Sequence, residues 1–597
     1  MGVASMVAAG AVALVGLYLR GSELLHGSST SPAAASSIET YCYEGITTLA
    51  EGEAVAGPQC FTVQDGRFTS VEPYTGETKD ERGSSILKGH AIPGLWDGHG
   101  HLIPYGEYLA SVDLFGSSDA TDVRHRLHEY LAQHPGVGGH DKWLRGFGWD
   151  QMALGGMPTA ELLDSDERLR GLYIMLDRVD AHCIWVSQAV LALLPDELLD
   201  IPGGEIVRDP GLGVFCDNAM NLVLNQYPGP SKATKTEYIR LAMRQMRSMG
   251  LVGMHDAGVT PEDLRLYQEL AGSRHVGGPG HHSDKDDGWT MRVYAMVECA
   301  ERNTFCQQDV AVLRQQEGRS DFLSVRSVKL FADGALGSWG SAMLEPYSDR
   351  PDTAGSLLVD AAALAQLTRD WAAAGFQVNI HAIGDRANRY AVDAFEAALV
   401  ALCQPPAGPL ADCQRERFRF RIEHAQIIHP HDQARIHALG IVPSIQPTHA
   451  TSDMAYAARR LGPDRTRDEA YRMHSFLKHG LHPVVLGSDF PIEPPDPFQG
   501  IYAAVARRSP HTGLSTNGTK EPWYPAEALS LHEALVGFTQ GPAYGGFLDG
   551  RAGVIQAGAL ADWVVLDKPL DAYDIEDLRS MRVRETWVGG TRVYERE

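Results

Sequence analysis

The chain has 597 residues, 44% of them hydrophobic and 21% charged, and 52 basic against 76 acidic residues leave a net charge of −24. This is a globular composition in a chain long enough to bury a large core; it excludes collagen, coiled coil, global disorder and a multi-span membrane protein. The acidic balance excludes a general nucleic-acid binder, whose footprint is basic.

In chain order, residues 3–19 are uncharged and almost wholly apolar, ending at Arg20. That length lies between a signal h-region and a membrane span. No Lys or Arg precedes the run, which favours an uncleaved membrane anchor over a signal cleaved near Ala33 and Ala35. Residues 27–37, rich in Ser, Ala, Thr and Pro, read as a linker. Residues 42–72 then alternate short β-like stretches with turns, including Asp65-Gly66, a hairpin signal. The far end, 562–567 and 583–594 with a Gly589-Gly590 turn, looks the same. The two ends are expected to pair into one small β-sandwich.

Between them, apolar runs at 91–95, 172–176, 252–256, 293–297, 325–331, 378–381, 418–423, 441–446 and 484–489 read as strands. Helical periods separate several of them, at 235–249, 361–374, 388–402 and 433–438. Strand–helix alternation predicts parallel βαβ units. The expected fold is therefore α/β, a (β/α)8 TIM-like barrel with a large insertion, plus the sandwich. The expected boundaries are 1–37 for the signal or anchor and linker, 38–90 for the first part of the sandwich, 91–541 for the barrel and 542–597 for the rest of the sandwich. The main insertion is placed at about 110–240. The stretch 272–288, with His275, His281 and His282, reads as a solvated loop.

The eight cysteines include three pairs close in sequence, Cys42 and Cys60, Cys299 and Cys306, Cys403 and Cys413, with Cys183 and Cys216 left over. None makes a C-x-x-C zinc pattern. Together with the N-terminal segment they predict disulfides and a secretory-pathway protein, membrane-anchored or secreted.

Polar residues recur at the carboxyl ends of the runs, where parallel barrels build their sites. His99 and His101 follow the first run, and alternation puts both with Asp97 on one face. Lys329 lies within an apolar strand, on one face with Phe331 and Asp333. Burial there lowers an amine's pKa and makes it reactive toward carbon dioxide; an ion pair with Asp333 or a reach to water are the competing readings. His381, His424 and Asp489 end three later runs, each open alone to a structural reading. Taken together they supply four imidazoles, one amine able to become a carbamate, and one carboxylate. That is an inventory for one or two divalent ions, with zinc the expected metal.

With this set the chain resembles the amidohydrolase superfamily, and within it the amidohydrolase-3 (YtcJ-like) group, from about residue 40 to the end. Further group-like segments are 146–150, 178–182, 203–207, 255–258, 333–338, 446–449, 487–491 and 558–562. The resemblance implies that His99 and His101 bind the more buried metal, that an N6-carboxylated Lys329 bridges two metals, that His381 and His424 bind the more exposed one, and that Asp489 contacts the buried one. It implies hydrolysis of a carbon–nitrogen bond outside peptides, with N-substituted formamide deformylation the nearest named activity. Asp489 is then the proton shuttle. His182, His255 and His449 are polar candidates near the barrel mouth; His182 and His449 are read as substrate contacts. Trp149 and Trp339 are read as an apolar wall there, with ordinary core packing as the alternative. Trp339 stands where arginine is expected in many bacterial relatives. The expected partner is a small molecule and no nucleic acid; no oligomeric interface is readable. The rival readings are a deaminase or an ester or lactone hydrolase on the same scaffold, and a catalytically inactive binding protein.

Overall fold

The computed structural model describes residues 38–51, 57–76, 86–272, 288–314, 320–403, 409–480 and 482–597. The apolar segment 3–19, the linker and the stretch with His275, His281 and His282 lie outside them. Among the described residues no helix is long and apolar enough to cross a membrane.

Eight strands form one parallel sheet in sequence order: Leu95–Gly100, Leu251–Val259, Arg292–Val297, Leu323–Phe331, Gln377–Ala382, Arg421–His424, Val442–Ile445 and Val485–Leu486. Their residues are almost all buried, as in a parallel sheet covered by helices. Helix Lys232–Ser248 shows how the cover forms. It buries Ile239, Ala242, Met243 and Met246, one stripe at helical spacing, and the Ser231 side chain caps it by accepting from the Thr234 N–H. The last and first strands close the barrel. The Asp489 N–H donates to the His99 carbonyl at 2.7 Å, and the His101 N–H to Phe490 at 2.9 Å. Gly98 permits this approach, since a Cβ there would sit 2.6 Å from the Leu486 carbonyl oxygen.

Two expected barrel strands are corrected. The run 91–95 is divided at Gly94: Leu87–Pro93 pairs antiparallel with Trp563–Leu566 in the chain-end sheet, and the barrel strand begins at Leu95. The run 172–176 forms Ile174–Arg178, a strand of a separate six-stranded sheet. An apolar run marks a buried strand without saying which sheet buries it. That second sheet, with Val112–Asp113, Leu144–Trp149, Cys183–Val186, Gly204–Val207 and Val214–Asp217, lies in sequence between the first two barrel strands.

Both chain ends share a seven-stranded sheet. Glu39–Ile46, Gln59–Gln64 and Arg67–Pro73 make one end; Trp563–Leu566, Glu585–Val588 and Thr591–Glu595 make the other, joined through Leu87–Pro93. Trp563 and Phe61 lie three strands apart, about 14 Å in a flat sheet at the usual strand spacing. Their rings are 5.0 Å apart, so the sheet rolls onto itself as a sandwich around an aromatic core. Trp587 stacks on Trp563 at 4.6 Å.

All eight cysteines are paired, as Cys42–Cys60, Cys183–Cys216, Cys299–Cys306 and Cys403–Cys413. The first joins two strands of the rolled sheet and the second joins two strands of the six-stranded sheet. Four disulfides in one chain indicate an oxidising compartment.

Candidate metal centre

The strand registers assemble the cluster. Phe331 is opposite His381, His381 opposite Glu423, and Ala382 opposite His424. Lys329 points inward two residues before Phe331. His99 ends the first strand, and Asp489 follows the eighth, brought to it by the closing bond to the His99 carbonyl. His424 and Asp489 adopt positive φ, 75° and 63°, which turns each side chain out of the pleat at the strand end.

Asp489 is the hub. Its Oδ1 lies 3.1 Å from His101 Nε2 and 3.4 Å from His99 Nε2, and its Oδ2 lies 3.8 Å from His449 Nε2. His99, His101 and Asp489 offer atoms within 4.8 Å of one another, and so do His424, His449 and Asp489. The rings of His381 and His424 are 4.4 Å apart. His381 Nε2 and His449 Nε2 are buried without a hydrogen-bond partner among the described residues.

Partners behind the cluster fix the tautomers. A carboxylate only accepts, so the Nδ1–H of His99 donates to Glu423 at 2.5 Å. The Nδ1–H of His424 donates to the Gln446 amide oxygen at 3.0 Å. Both Nε2 lone pairs are thereby turned into the site, the usual support for a metal-binding histidine. Burial, with Lys329 beside it, pushes His99 down to about 4. Burial also takes His381 and His424 well below the ordinary value, so the three imidazoles are neutral at pH 7. Burial would raise Asp489, but the facing His99 and His101 hold it well below the usual carboxylate range. Five imidazoles and a carboxylate converging on one volume is the chemistry of a divalent-cation site. The donor set therefore fits the metal that the sequence implies.

Lys329 is fully enclosed. Burial lowers its pKa, although Glu423, Asp489 and Glu298 pull the other way. Its Nζ lies 3.3 Å from His99 Nε2, and no carboxylate of the described residues comes within 4 Å of it. The ion pair with Asp333 is absent: the Asp333 carboxylate accepts the N–H groups of Ala342, Ile383 and Gly384 at 2.8–3.0 Å.

Under the cluster is a buried layer that the sequence reading missed. Arg421 donates twice to Glu423, at 2.8 and 3.0 Å, and also to the Gly98 carbonyl and Ser444 Oγ. Burial would raise Glu423, but Arg421 and His99 hold it far below the ordinary range. His255, expected near the mouth, is instead fully buried here, its Nδ1 accepting from Arg421 at 2.6 Å. Asp97 accepts from Ser488 Oγ at 2.6 Å and from two backbone N–H groups, and burial raises it to about 7. Glu423 precedes His424 and Arg421 is two residues before it, so strand alternation was the available signal.

The expected substrate contacts divide. His182 comes to the cluster, its ring 5.8 Å from His381. Burial lowers its basicity, but the bond to Asp217 and the charges of Asp217 and Asp180 together raise it. His449 is part of the cluster itself. Trp149 is not brought there: it lies in the core of the six-stranded sheet, its indole N–H on the Leu176 carbonyl. Trp339 packs on the Arg460 guanidinium at 3.7 Å and donates to Asp349, beside the hydrophobic wall of Leu336, Met343 and Tyr347.

Gly487 separates the last strand from Asp489. A Cβ there would lie 2.5 Å from the His99 N and 2.7 Å from Asp97 Oδ1. Gly487→Ala is expected to cost about 1–3 kcal/mol of stability and to displace His99 from Asp489. Denaturant titration and bound-metal content check this; wild-type values for both would show that the loop gives way.

Three comparisons bear on this site. The sequence model described as Amidohydrolase family matches residues 88–594. The chain is similar to "Protein LONG AFTER FAR-RED 3" of Arabidopsis thaliana, 30% identical over 89% of this chain and 86% of that one. It is 29% identical to "Putative amidohydrolase YtcJ" of Bacillus subtilis, covering 92% and 98%. It is 25% identical to "N-substituted formamide deformylase" of Arthrobacter pascens, covering 90% and 95%. Among solved structures, "an uncharacterized metal-dependent hydrolase from pyrococcus furiosus" superposes with a TM-score of 0.64 at 24% identity, covering 90% of this chain and all of that one. That last likeness is one of fold.

Proposed function

We propose that this chain, which belongs to the amidohydrolase family, hydrolyses a carbon–nitrogen bond outside peptides in a small amide or N-substituted formamide. The observation that carries the reading is the convergence of imidazole Nε2 atoms on the Asp489 carboxylate at the closing edge of the barrel. A relative named for formamide deformylation supports the bond type.

His99, His101 and Asp489 would hold one divalent ion, zinc by the softness of the donors, and His381 and His424 a second. Lys329, enclosed with no carboxylate partner, suits N6-carboxylation, which would make it an anionic bridge. A divalent ion held by these residues would supply Lewis-acid activation of a water and of a carbonyl at neutral pH. Asp489, 3.1 Å from His101, takes the proton of the attacking water and returns it to the leaving nitrogen. His182 and His449 contact the substrate. Glu423 and Gln446 keep the ligating nitrogens of His99 and His424 turned inward. The four disulfides support a protein of the secretory pathway.

The test pairs elemental mass spectrometry of the full chain with release of formate from N-butylformamide. Two metal equivalents, one of them lost in Lys329→Ala, and measurable formate are expected. One equivalent would remove Lys329 from the ligand set. No metal after zinc and bicarbonate are supplied would overturn the reading in favour of a binding protein.

A further inference from the structure

The six-stranded sheet contributes a polar pair to the barrel site. The Nδ1–H of His182 donates to the Asp217 carboxylate at 2.7 Å. The two residues end neighbouring antiparallel strands, and the Asp217 N–H donates to the His182 carbonyl at 2.9 Å. The next residue pair along the ladder is Cys183–Cys216, a covalent strap one residue from both.

Asp217 is built into its place from the other side as well. It adopts φ 50°, ψ −127°, a backbone conformation that non-glycine residues rarely take. Its carboxylate lies against Gly334 and Gly340 of the loop after the Lys329 strand; a Cβ at either would come within 2.7 and 3.0 Å of it. The loop thus leaves room for one carboxylate and no more. Among the described residues its carboxylate makes one side-chain hydrogen bond, to His182. With Nδ1 spent on Asp217, the other nitrogen of His182, Nε2, has no hydrogen-bond partner among the described residues, and the ring stands 5.8 Å from His381.

We infer that Asp217 is a positioning residue that acts through His182, holding Nε2 to hydrogen-bond the substrate's amide group, so that the barrel site is complete only with the six-stranded sheet. This rests on the hydrolase reading above, and it names the amide group itself as what the sheet recognises. A side chain held by a carboxylate at one nitrogen keeps one ring orientation, and the bond it makes through the other nitrogen loses less entropy on forming.

The test is a double-mutant cycle on metal-loaded full chain, read two ways. One is kcat/KM for N-butylformamide. The other is the Kd of N-butylurea, an amide isostere with a less electrophilic carbonyl, by calorimetry. His182→Ala is expected to weaken both by about 10- to 100-fold, the range for loss of a charge-assisted hydrogen bond. Asp217→Ala should approach the same loss. Asp217→Asn, whose amide oxygen still accepts from Nδ1–H, should recover much of it. The double variant His182→Ala/Asp217→Ala should be no worse than His182→Ala, because Asp217 has nothing left to position. Metal content should be unchanged throughout. Additive losses, or variants that lose thermal stability while kcat/KM and Kd hold, would overturn the inference and leave the hydrolase reading standing. The expected Kd pattern without any hydrolysis would overturn that reading and leave this one. A wild-type protein that neither binds nor hydrolyses the probes would overturn both.

Discussion

Asp489→Asn is expected to fold, to keep its metal and to lose about 10²–10⁴-fold in kcat, the usual contribution of a positioned acid–base group. The backbone at this position is set by the bond from the Asp489 N–H to the His99 carbonyl, which the side chain does not affect. Asparagine tolerates the positive φ of 63° as well as aspartate does. Its amide oxygen can still approach His101 and His99, now 3.1 and 3.4 Å from Oδ1. What it cannot do is take a proton and give it back. The measurement is kcat on N-butylformamide beside metal per chain by elemental mass spectrometry. Turnover equal to wild type would end the shuttle role; loss of metal would make Asp489 first a ligand.

The largest stability effect is expected at Arg421. Its guanidinium is fully buried and is the main counter-charge to Glu423, itself fully buried. Arg421→Met preserves much of the volume but leaves the Glu423 carboxylate, the Gly98 carbonyl and Ser444 without that donor. Removing one partner of a buried ion pair costs about 3–5 kcal/mol, because the other charge remains uncompensated. Adding Glu423→Gln should restore part of the loss, since the second variant removes the stranded charge. It should also recover part of the metal binding, because the amide oxygen of the Gln can still accept from the His99 Nδ1–H. Denaturant titration of the two variants checks the first expectation and metal content the second. Additive destabilisation would show that the pair is not coupled.

The candidate cluster was largely legible as residue identities. His99, His101, His381, His424 and Asp489 each follow or end an apolar run and Lys329 lies within one, and the structure brings all six together. His449 joins them from the start of a helix after the seventh strand. Legibility failed where a residue's surroundings come from distant chain. Trp149 and Trp339 are both tryptophans beside glycines, yet one is enclosed in the six-stranded sheet and the other lies against Arg460. Nothing local separates those outcomes. His255 also lies at the end of an apolar run, yet it is buried, bonded to Arg421 166 residues away and packed by Trp96 and Tyr294.

The sequence by itself determined the α/β alternation, the pairing of the two β-rich ends and the order of the polar residues along the barrel. These are local facts: strand alternation and helical spacing are set within a few residues and show in the pattern of apolar side chains. Only the tertiary structure decided which carboxylate serves which group. Glu423 belongs to His99, Asp217 to His182, and Asp333 to three backbone N–H groups rather than to Lys329. The physical reason is that a carboxylate's role depends on the donors and charges within a few ångströms, and those arrive from other strands and loops, as far as 324 residues away for Glu423 and His99.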